Sequence, residues 1–230
     1  MIIEAKNIIK SFPSGDSELV VLKGVNFQVE KGEFISITGR SGSGKSTLMY
    51  QLGLLDHPTS GSIMIDGKEV TNLPNQERTQ LRLQELGYVF QDYALIPELT
   101  AMENVLIPLL MLGYDPKVAE EKAKRSLERI GLGHRLYNQP NQLSGGEQQR
   151  VSIARAVSHE PKIIFADEPT ANLDTETSRV VLDHFLELNR EGQTIVMVTH
   201  EPEYAEMTHR TIVLSDGQIV GNEKNAQRKK

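Results

Sequence analysis

The apolar and polar positions of the chain follow two different periods. Residues 25–29 alternate with a period of two, which predicts a half-buried strand, and residues 34–38, 162–166 and 194–199 are short apolar runs typical of buried parallel strands. Residues 2–35 read as short strands joined by turns, and residues 211–220 read as a terminal hairpin. Between about residues 93 and 158 the spacing becomes helical. This order predicts an α/β fold with a mostly parallel sheet, an N-terminal antiparallel β part and a helical insertion.

Capping signals place the helices of the middle section. Thr100 and Glu103 have the spacing of a capping box, and Asp115 followed by Pro116 predicts another helix start. Pro108 lies between these starts and is expected to kink or stop the first helix, because proline removes a backbone hydrogen bond. A further polar helix is expected over residues 74–83, just before a strand at 86–90.

Composition narrows the class of protein. The chain has 230 residues, a net charge of −6 and no cysteine. The negative charge argues against a general nucleic-acid binder, and the lack of thiols excludes disulfides and fits a reducing cytosol. The longest apolar run, residues 105–112, is too short to cross a bilayer, and the N-terminus lacks the apolar core of a signal peptide. We therefore expect one domain over residues 1–222, a basic tail over 223–230, and any membrane role to act through a partner chain.

One stretch matches the phosphate-loop pattern G-x-x-x-x-G-K-[ST] at every required position: Gly39, Arg40, Ser41, Gly42, Ser43, Gly44, Lys45, Ser46 and Thr47. Glycines let several backbone N–H groups turn toward one anion, and the helix that follows presents its positive end to the same point. Lys45 would supply a full charge to the β- and γ-phosphates, and the Ser46 hydroxyl could ligate Mg²⁺. The stretch follows a predicted strand, as in a P-loop NTPase with a RecA-like core.

A second candidate anion site begins at Ser144. Ser144 and Glu147 have capping-box spacing, which would explain both residues as the start of a helix. It does not explain Gly145 and Gly146, since each glycine costs about 1 kcal/mol inside a helix. Two exposed N–H groups beside a serine hydroxyl would form a phosphate site.

Acidic, amide and imidazole groups stand at three strand ends. Asp167 and Glu168 follow residues 162–166, where Mg²⁺ would relieve their repulsion; Asp167 could hold the ion and Glu168 could orient or deprotonate a water. Gln91 follows residues 86–90 and is either a surface residue or a ligand of the metal or the water. His200 follows residues 194–199, where a phosphate contact is favoured over an inert histidine.

Phe12 lies in the polar stretch 10–15, which is expected to be a loop. Its ring could be a plug for the N-terminal sheet, or it could stack on a nucleotide base. Position alone leaves both interpretations open.

Taken together, these motifs resemble the ATP-binding subunit of ABC transporters. The likeness spans roughly residues 1–220, and its most specific part is the run from Leu143 to Gln148. It implies a head-to-tail dimer of two copies with two ATP molecules between them, each held by the phosphate loop of one copy and Ser144, Gly145 and Gly146 of the other.

The same resemblance implies roles for single residues. Glu168 would be the catalytic base and His200 the γ-phosphate contact. Gln91 would be a ligand of metal and water that also senses the membrane partner, and Asp174 would be a link across the dimer. Phe12 falls where this family places an adenine-stacking aromatic residue, commonly tyrosine.

Residues 88–105 carry a narrower likeness, to the branch that includes lipoprotein-releasing and macrolide-exporting ATPases, the LolD and MacB type. The resemblance implies a membrane permease with a large extracytoplasmic domain, which docks on this stretch and holds the ATPase on the inner face of the cell membrane. The substrate would be exported or extracted.

Two other functions remain open from the sequence. A mechanical or regulatory ATPase of the same fold, as in cell division, would drive a membrane partner without moving a substrate. A small-molecule kinase would place an acceptor hydroxyl where Glu168 holds water, but it would have no use for Ser144, Gly145 and Gly146.

Overall fold

The computed structural model describes residues 1–15 and 17–225. The chain forms two compact units: one combines Met1–Thr79 with the chain from Gly192 onward, and the other is Gln80–Glu191. The first unit carries the phosphate loop. The second carries the helical section with the run from Leu143 to Gln148.

The N-terminal strands of the first unit form an antiparallel sheet. Its strands are β1 (Ile3–Ser14), β2 (Ser17–Val29), β4 (Ser60–Ile65) and β5 (Lys68–Glu69), in the order β2-β1-β4-β5. The strands β1 and β2 are long and continuous, so the expectation of several short strands with turns between them is wrong. Register shifts along their ladder explain the broken alternation, because each bulge adds a residue and moves the apolar set to the other face.

A second group of strands in this unit is buried. The strand β3 (Phe34–Thr38) pairs in parallel with β8 (Thr194–Val198) and β9 (Arg210–Ser215), and β10 (Gln218–Lys224) closes the expected hairpin with β9. Burial on both faces explains why β3 and β8 read as continuous apolar runs. The helix α1 (Lys45–Leu52) follows β3, and the short helix α7 (Pro202–Ala205) follows β8.

The end of β10 changes the predicted C-terminal boundary. Glu223 and Lys224 pair with Thr211 and Arg210, so they extend a strand and do not belong to the basic tail expected over 223–230. Hydrogen bonding to β9 orders this backbone despite its polar side chains. Residues 226–230 of that tail lie outside the described residues.

The second unit combines two parallel strands with helices. The strand β6 (Leu86–Val89) pairs with β7 (Ile163–Asp167), and α6 (Thr175–Arg190) follows β7. Between the two strands lie α3 (Ala101–Met111), α4 (Pro116–Arg129), a 3-10 turn (Pro140–Gln142) and α5 (Gly145–Val157). The helix α2 (Asn75–Glu85) leads from the first unit into the second.

Buried aliphatic side chains hold α3, α4 and α5 together. Val105, Leu109, Leu127 and Val151 are fully buried in one cluster. The capping box of Thr100 and Glu103 starts α3, and Asp115 caps α4 with Pro116 in its first turn, as expected. Pro108 does not stop α3, which runs on to Met111, because packing of the neighbouring Leu109 offsets the missing hydrogen bond.

Asn104 fixes the chain that enters α3. Its side chain is 1% exposed, donates to the carbonyls of Ile96, Leu99 and Thr100, and accepts from the backbone N–H of Ile96 at 2.8 Å. One buried amide therefore satisfies a whole turn of irregular backbone.

Replacing this amide should destabilise the protein strongly. We expect Asn104→Ala to lower the free energy of unfolding by about 2–4 kcal/mol, because buried carbonyls lose their partner. Urea unfolding followed by circular dichroism measures the change. The matched control is Asn141→Ala at an exposed position, which should shift stability by less than about 0.5 kcal/mol. Equal effects of the two substitutions would contradict the assigned role of Asn104.

Candidate functional site

The phosphate-loop motif forms a tight turn between β3 and α1. Gly39, Gly42 and Gly44 have φ angles of 148°, 77° and 100°, in the region that favours glycine. A Cβ on Gly39 would lie 2.2 Å from the carbonyl oxygen of Leu214, so no larger residue fits. The loop therefore exposes backbone, which is what close contact with an anion requires.

Lys45 and Ser43 fill the inside of this turn. The Lys45 ammonium group is nearly buried and donates to the carbonyl oxygens of Gly39 at 3.0 Å and Arg40 at 3.2 Å. Ser43 Oγ is buried and has no hydrogen-bond partner among the described residues. A buried cation with weak carbonyl partners and an unsatisfied hydroxyl fit a phosphate group, which offers several strong acceptors.

Phe12 lies in β1 opposite Leu19, so the expectation of a loop at this position is wrong. The strand extends because backbone pairing with β2 continues to the end of the hairpin. The ring is 39% exposed, which excludes the alternative of a buried plug. The Lys10 ammonium group lies 4.8 Å from its centroid. An exposed aromatic ring on a strand could still stack on a base.

Asp167 and Glu168 end β7 in different environments. Asp167 is the last residue of the strand and is 7% exposed, whereas Glu168 is half-buried and has a φ angle of 46°. A left-handed glutamate costs backbone energy, and such positions cluster at functional sites. The backbone conformation therefore changes between Asp167 and Glu168, and the two neighbouring carboxylates stand on different backbone conformations.

His200 lies two residues beyond the last residue of the fully buried strand β8. Its side chain is 53% exposed, and Nε2 lies 3.2 Å from Glu201 Oε1. The backbone here is fixed, because Glu201 N–H donates to Thr199 Oγ1 at 3.1 Å. The imidazole therefore stands at a defined point on the surface of the first unit.

Gln91 begins an exposed turn. Side chains from α5 and from the segment before α6 donate hydrogen bonds to the backbone of this turn. Asn172 Nδ2 donates to the Gln91 carbonyl at 2.9 Å, and Arg155 donates to the carbonyls of Tyr93 and Ala94. Tyr93 and Ala94 have φ angles of 63° and 49°. Sequence reasoning missed Arg155 and Asn172; the only local signal was an arginine among the apolar positions of a helix.

Ser144 and Glu147 form the capping box that the sequence predicts for α5. Ser144 Oγ accepts from Glu147 N–H at 3.2 Å, and Glu147 Oε2 accepts from Ser144 N–H at 2.8 Å. Arg135 Nε adds a hydrogen bond to Glu147 Oε1 at 3.0 Å. The bond from Ser144 N–H, together with Arg135, holds the pKa of Glu147 below its usual value despite partial burial.

The structure gives the two glycines of this motif a packing role that sequence reasoning missed. A Cβ on Gly146 would lie 2.1 Å from Thr177 Cγ2 on α6, and a Cβ on Gly145 would lie 2.8 Å from Tyr93 Oη. Helix α6 and the turn after Gln91 therefore pack closely against the first turn of α5. An anion role is not needed to explain the glycines, although the two uses are compatible.

Asp174 joins this packed group through Thr177. Asp174 Oδ1 accepts from Thr177 N–H at 3.0 Å, and Oδ2 accepts from Thr177 Oγ1 at 2.6 Å, so Asp174 caps α6. These bonds lower the pKa of the Asp174 carboxyl. Thr177 thus contacts both Asp174 and the site of Gly146.

Two features are absent from the residues that the structure describes, a membrane-spanning helix and a cluster of metal-ligating side chains. Within residues 1–15 and 17–225, none of the helices has the length and apolarity to cross a bilayer. Over the same residues, His, Asp and Glu side chains do not gather into a group of three or more suited to a metal ion.

Comparison with known proteins identifies the class. The family model described as ABC transporter matches residues 22–171, and the chain belongs to this family. It is an ATP-binding subunit and an ATPase, of the type found in LolD and MacB systems.

Individual relatives support this assignment over nearly the whole chain. The chain is 52% identical to the lipoprotein-releasing system ATP-binding protein LolD of Aquifex aeolicus, over 96% of both chains. It is 47% identical to the macrolide export ATP-binding/permease protein MacB of Bartonella henselae, over 96% of this chain and 34% of that protein. A solved dimeric post-hydrolysis state of the ATP-binding cassette MJ0796, bound to ADP and Pi, matches with a TM-score of 0.91 and 40% identity, over 98% of this chain and 99% of that one.

The contact between Gly146 and Thr177 predicts a compensating pair of substitutions. We expect Gly146→Ala to lower the free energy of unfolding by about 1–3 kcal/mol, because the added methyl group overpacks against Thr177 Cγ2. Thr177→Ser removes that methyl group and keeps the hydroxyl that binds Asp174, so the double variant should regain most of the loss. Urea denaturation of all four proteins gives the coupling energy. Additive effects would show that the two positions do not contact each other.

Proposed function

We propose that two copies of this chain close head-to-tail on two Mg-ATP molecules and drive a membrane permease that exports or extracts a substrate. One observation carries the proposal: besides the phosphate loop over residues 39–44, the first turn of α5 is a helix N-terminus that begins with two glycines, which would take the phosphates of a second nucleotide. A single nucleotide needs only the phosphate loop. The related cassette solved as a dimer bound to ADP and Pi supports a dimeric arrangement.

In this proposal the phosphate loop holds the triphosphate. Lys45 exchanges its two carbonyl partners for β- and γ-phosphate oxygens, which are stronger acceptors. Ser43 Oγ, which is buried without a partner, gains one. The backbone from Gly39 to Gly44 and the start of α1 with Ser46 and Thr47 supply further N–H donors. Arg40 and Ser41, both exposed, lie at the rim of the turn.

Ser46, Gln91 and Asp167 are the proposed ligands of Mg²⁺. They offer hydroxyl, amide and carboxylate oxygens, which are the ligand types that this ion prefers. When bound, Mg²⁺ would supply positive charge against the negative charge that develops on the phosphates during hydrolysis. The low exposure of Asp167 keeps its carboxylate in place, while Gln91 stands on a surface turn that can respond to a partner.

Glu168 and His200 are the proposed catalytic residues. Glu168 accepts a proton from the attacking water, and its left-handed backbone fixes the direction of the carboxylate. His200 donates a hydrogen bond to the γ-phosphate from its exposed position after β8. Phe12 stacks on the adenine ring.

Ser144, Gly145, Gly146 and Glu147 serve the nucleotide of the other copy. Glu147 and Arg135 hold the first turn of α5, whose glycine N–H groups would donate to the phosphates. Asp174 lies exposed at the start of α6 and is the proposed link across the dimer.

Residues 88–105 are the proposed docking segment for the permease, which carries an extracytoplasmic domain. Ile96 in this segment is 43% exposed, and Asn104 fixes the surrounding turn. The relatives named for lipoprotein release and for macrolide export by an ATP-binding/permease protein support export or extraction. The chain would then lie on the cytoplasmic face of the cell membrane. Genes encoding a permease beside this one would support the proposal, whereas a partner tied to wall hydrolases would favour the mechanical alternative.

The role of Glu168 predicts slow turnover with intact nucleotide binding. We expect Glu168→Gln to lower ATPase turnover about 10²–10⁴-fold, because a general base contributes that much, while the dissociation constant for Mg-ATP stays within about threefold. Phosphate release and calorimetric titration measure the two quantities. Glu120→Gln on the exposed face of α4 is the control and should retain turnover. A variant at Glu168 with normal turnover would exclude this residue as the base.

The same variant also tests the dimer. With hydrolysis blocked, Glu168→Gln should elute as a dimer in Mg-ATP and as a monomer without nucleotide. Lys45→Ala, which weakens the hold on the phosphates, should stay monomeric in both conditions. A strictly monomeric profile at saturating Mg-ATP, or ATPase activity of the unmodified chain that is linear in concentration from the lowest dilutions, would count against cross-subunit sites.

A further inference from the structure

One carboxylate in the first unit joins the end of α1 to the hairpin that carries Phe12. Asp56 Oδ2 lies 2.7 Å from Lys10 Nζ and 3.0 Å from Gln51 Nε2, and Oδ1 accepts from His57 N–H at 2.7 Å. Gln51 is fully buried in α1, the helix that begins at the phosphate loop. Lys10 belongs to β1, two residues before Phe12. Asp56 therefore links the last turn of the helix that follows the phosphate loop to the strand that carries Phe12.

Lys10 is unusually fixed for a lysine. Its side chain is 12% exposed, and its ammonium group donates to the His57 carbonyl at 2.7 Å in addition to the pair with Asp56. The same group lies 4.8 Å from the centroid of the Phe12 ring, within the range of a cation–π contact. The ammonium group thus covers one face of an otherwise exposed ring.

Arg78 in turn fixes the backbone around Asp56. It is 2% exposed and donates to the carbonyl of Leu54 at 2.9 Å and that of Asp56 at 2.7 Å, and its Nη1 lies 2.9 Å from His57 Nδ1. Because arginine has no acceptor, His57 Nδ1 accepts this bond. A buried cation thus holds the loop from Leu54 to His57 at several points.

The charge state of Asp56 is consistent with a permanent pair. Burial raises the pKa of its carboxyl, but hydrogen bonds from Lys10, Gln51 and His57 outweigh burial and lower it overall. The carboxylate therefore stays ionised over the neutral range.

We infer that Lys10 and Asp56 are positioning residues for nucleobase recognition. Asp56 sets the distance between the phosphate loop and the aromatic hairpin, and Lys10 orients the Phe12 ring and leaves its other face for the base. The inference rests on the proposed function, because it assigns the support of a ring that the proposal places on adenine. An ordinary ion pair that only stabilises the hairpin would have the same geometry. The two roles differ in which ligands they affect.

Titration with a ligand that has the base and one that lacks it separates these roles. Mg-ADP and inorganic pyrophosphate are suitable probes, measured calorimetrically on the full chain. We expect Lys10→Met to weaken Mg-ADP binding about fivefold and to leave pyrophosphate binding within about twofold, because only the base contacts the ring. Asp56→Asn should act in the same direction, and Lys10→Arg, which keeps the charge, should restore Mg-ADP affinity.

Three further variants complete the experiment. Lys6→Met removes an exposed lysine of the same strand, paired with Glu4 at 3.0 Å, and should change neither titration. Phe12→Ala should weaken Mg-ADP about tenfold. In the double variant of Lys10 and Phe12, loss of the lysine should have no further effect, because it acts through the ring.

Three results would overturn the inference: unchanged Mg-ADP affinity in Lys10→Met, an equal loss for pyrophosphate, or additive losses in the double variant. If Phe12→Ala binds Mg-ADP normally while Lys45→Ala does not, the base platform is wrong and the ATPase function stands. If the unmodified chain does not bind Mg-ADP, the proposed function itself fails.

Discussion

Burial of β3 is the constraint on which the first unit depends. The strand lies between β8 and β9, and Phe34, Ile35 and Ile37 are at most 1% exposed. The chain therefore leaves the sheet at a fixed point, directly under the carbonyl of Leu214, where only glycine can stand. The packed core fixes the point at which the phosphate loop starts, and the glycines allow the backbone to turn from that point into α1.

Close packing constrains the second unit in a comparable way, at the first turn of α5 that begins after Ser144. Thr177 lies against Gly146 and binds Asp174, while Tyr93 lies against Gly145 and its carbonyl is held by Arg155. These contacts make the first turn of α5, the start of α6 and the turn after Gln91 one packed group. None of the three segments can shift alone without breaking a close contact, so a displacement of the turn after Gln91 would also disturb α5 and Asp174. The glycines thus permit this close packing, because they carry no side chain.

Sequence reasoning succeeded where the signal is local. Thr100 with Glu103, Ser144 with Glu147 and Asp115 with Pro116 mark helix starts through bonds within four residues, and the phosphate loop is defined by its own spacing. It failed where a distant part of the chain decides. Phe12 was expected in a loop because its neighbours are polar, but pairing with β2 keeps the strand extended. Asn172 and Arg155 bind the backbone of the turn at Gln91 from positions 81 and 62 residues away in the sequence. The residues near Gln91 therefore give no sign of these partners. Nor could spacing show that Gly146 faces Thr177.

The same division between local and distant interactions bears on how such a site tells one ligand from another. Triphosphate recognition by backbone N–H groups and a lysine is strong, but every nucleoside triphosphate offers the same oxygens, so it carries no information about the base. Stacking contributes only about 1–3 kcal/mol, and it does so only where the ring lies at the right distance from the phosphates. A ring on an exposed strand would lose much of that energy to motion. In the proposed base site, a buried arginine that fixes the loop, a carboxylate that joins the loop to α1, and a lysine held by that carboxylate would together restrict the ring before the ligand arrives. Preorganisation of this kind lets a weak contact contribute to recognition.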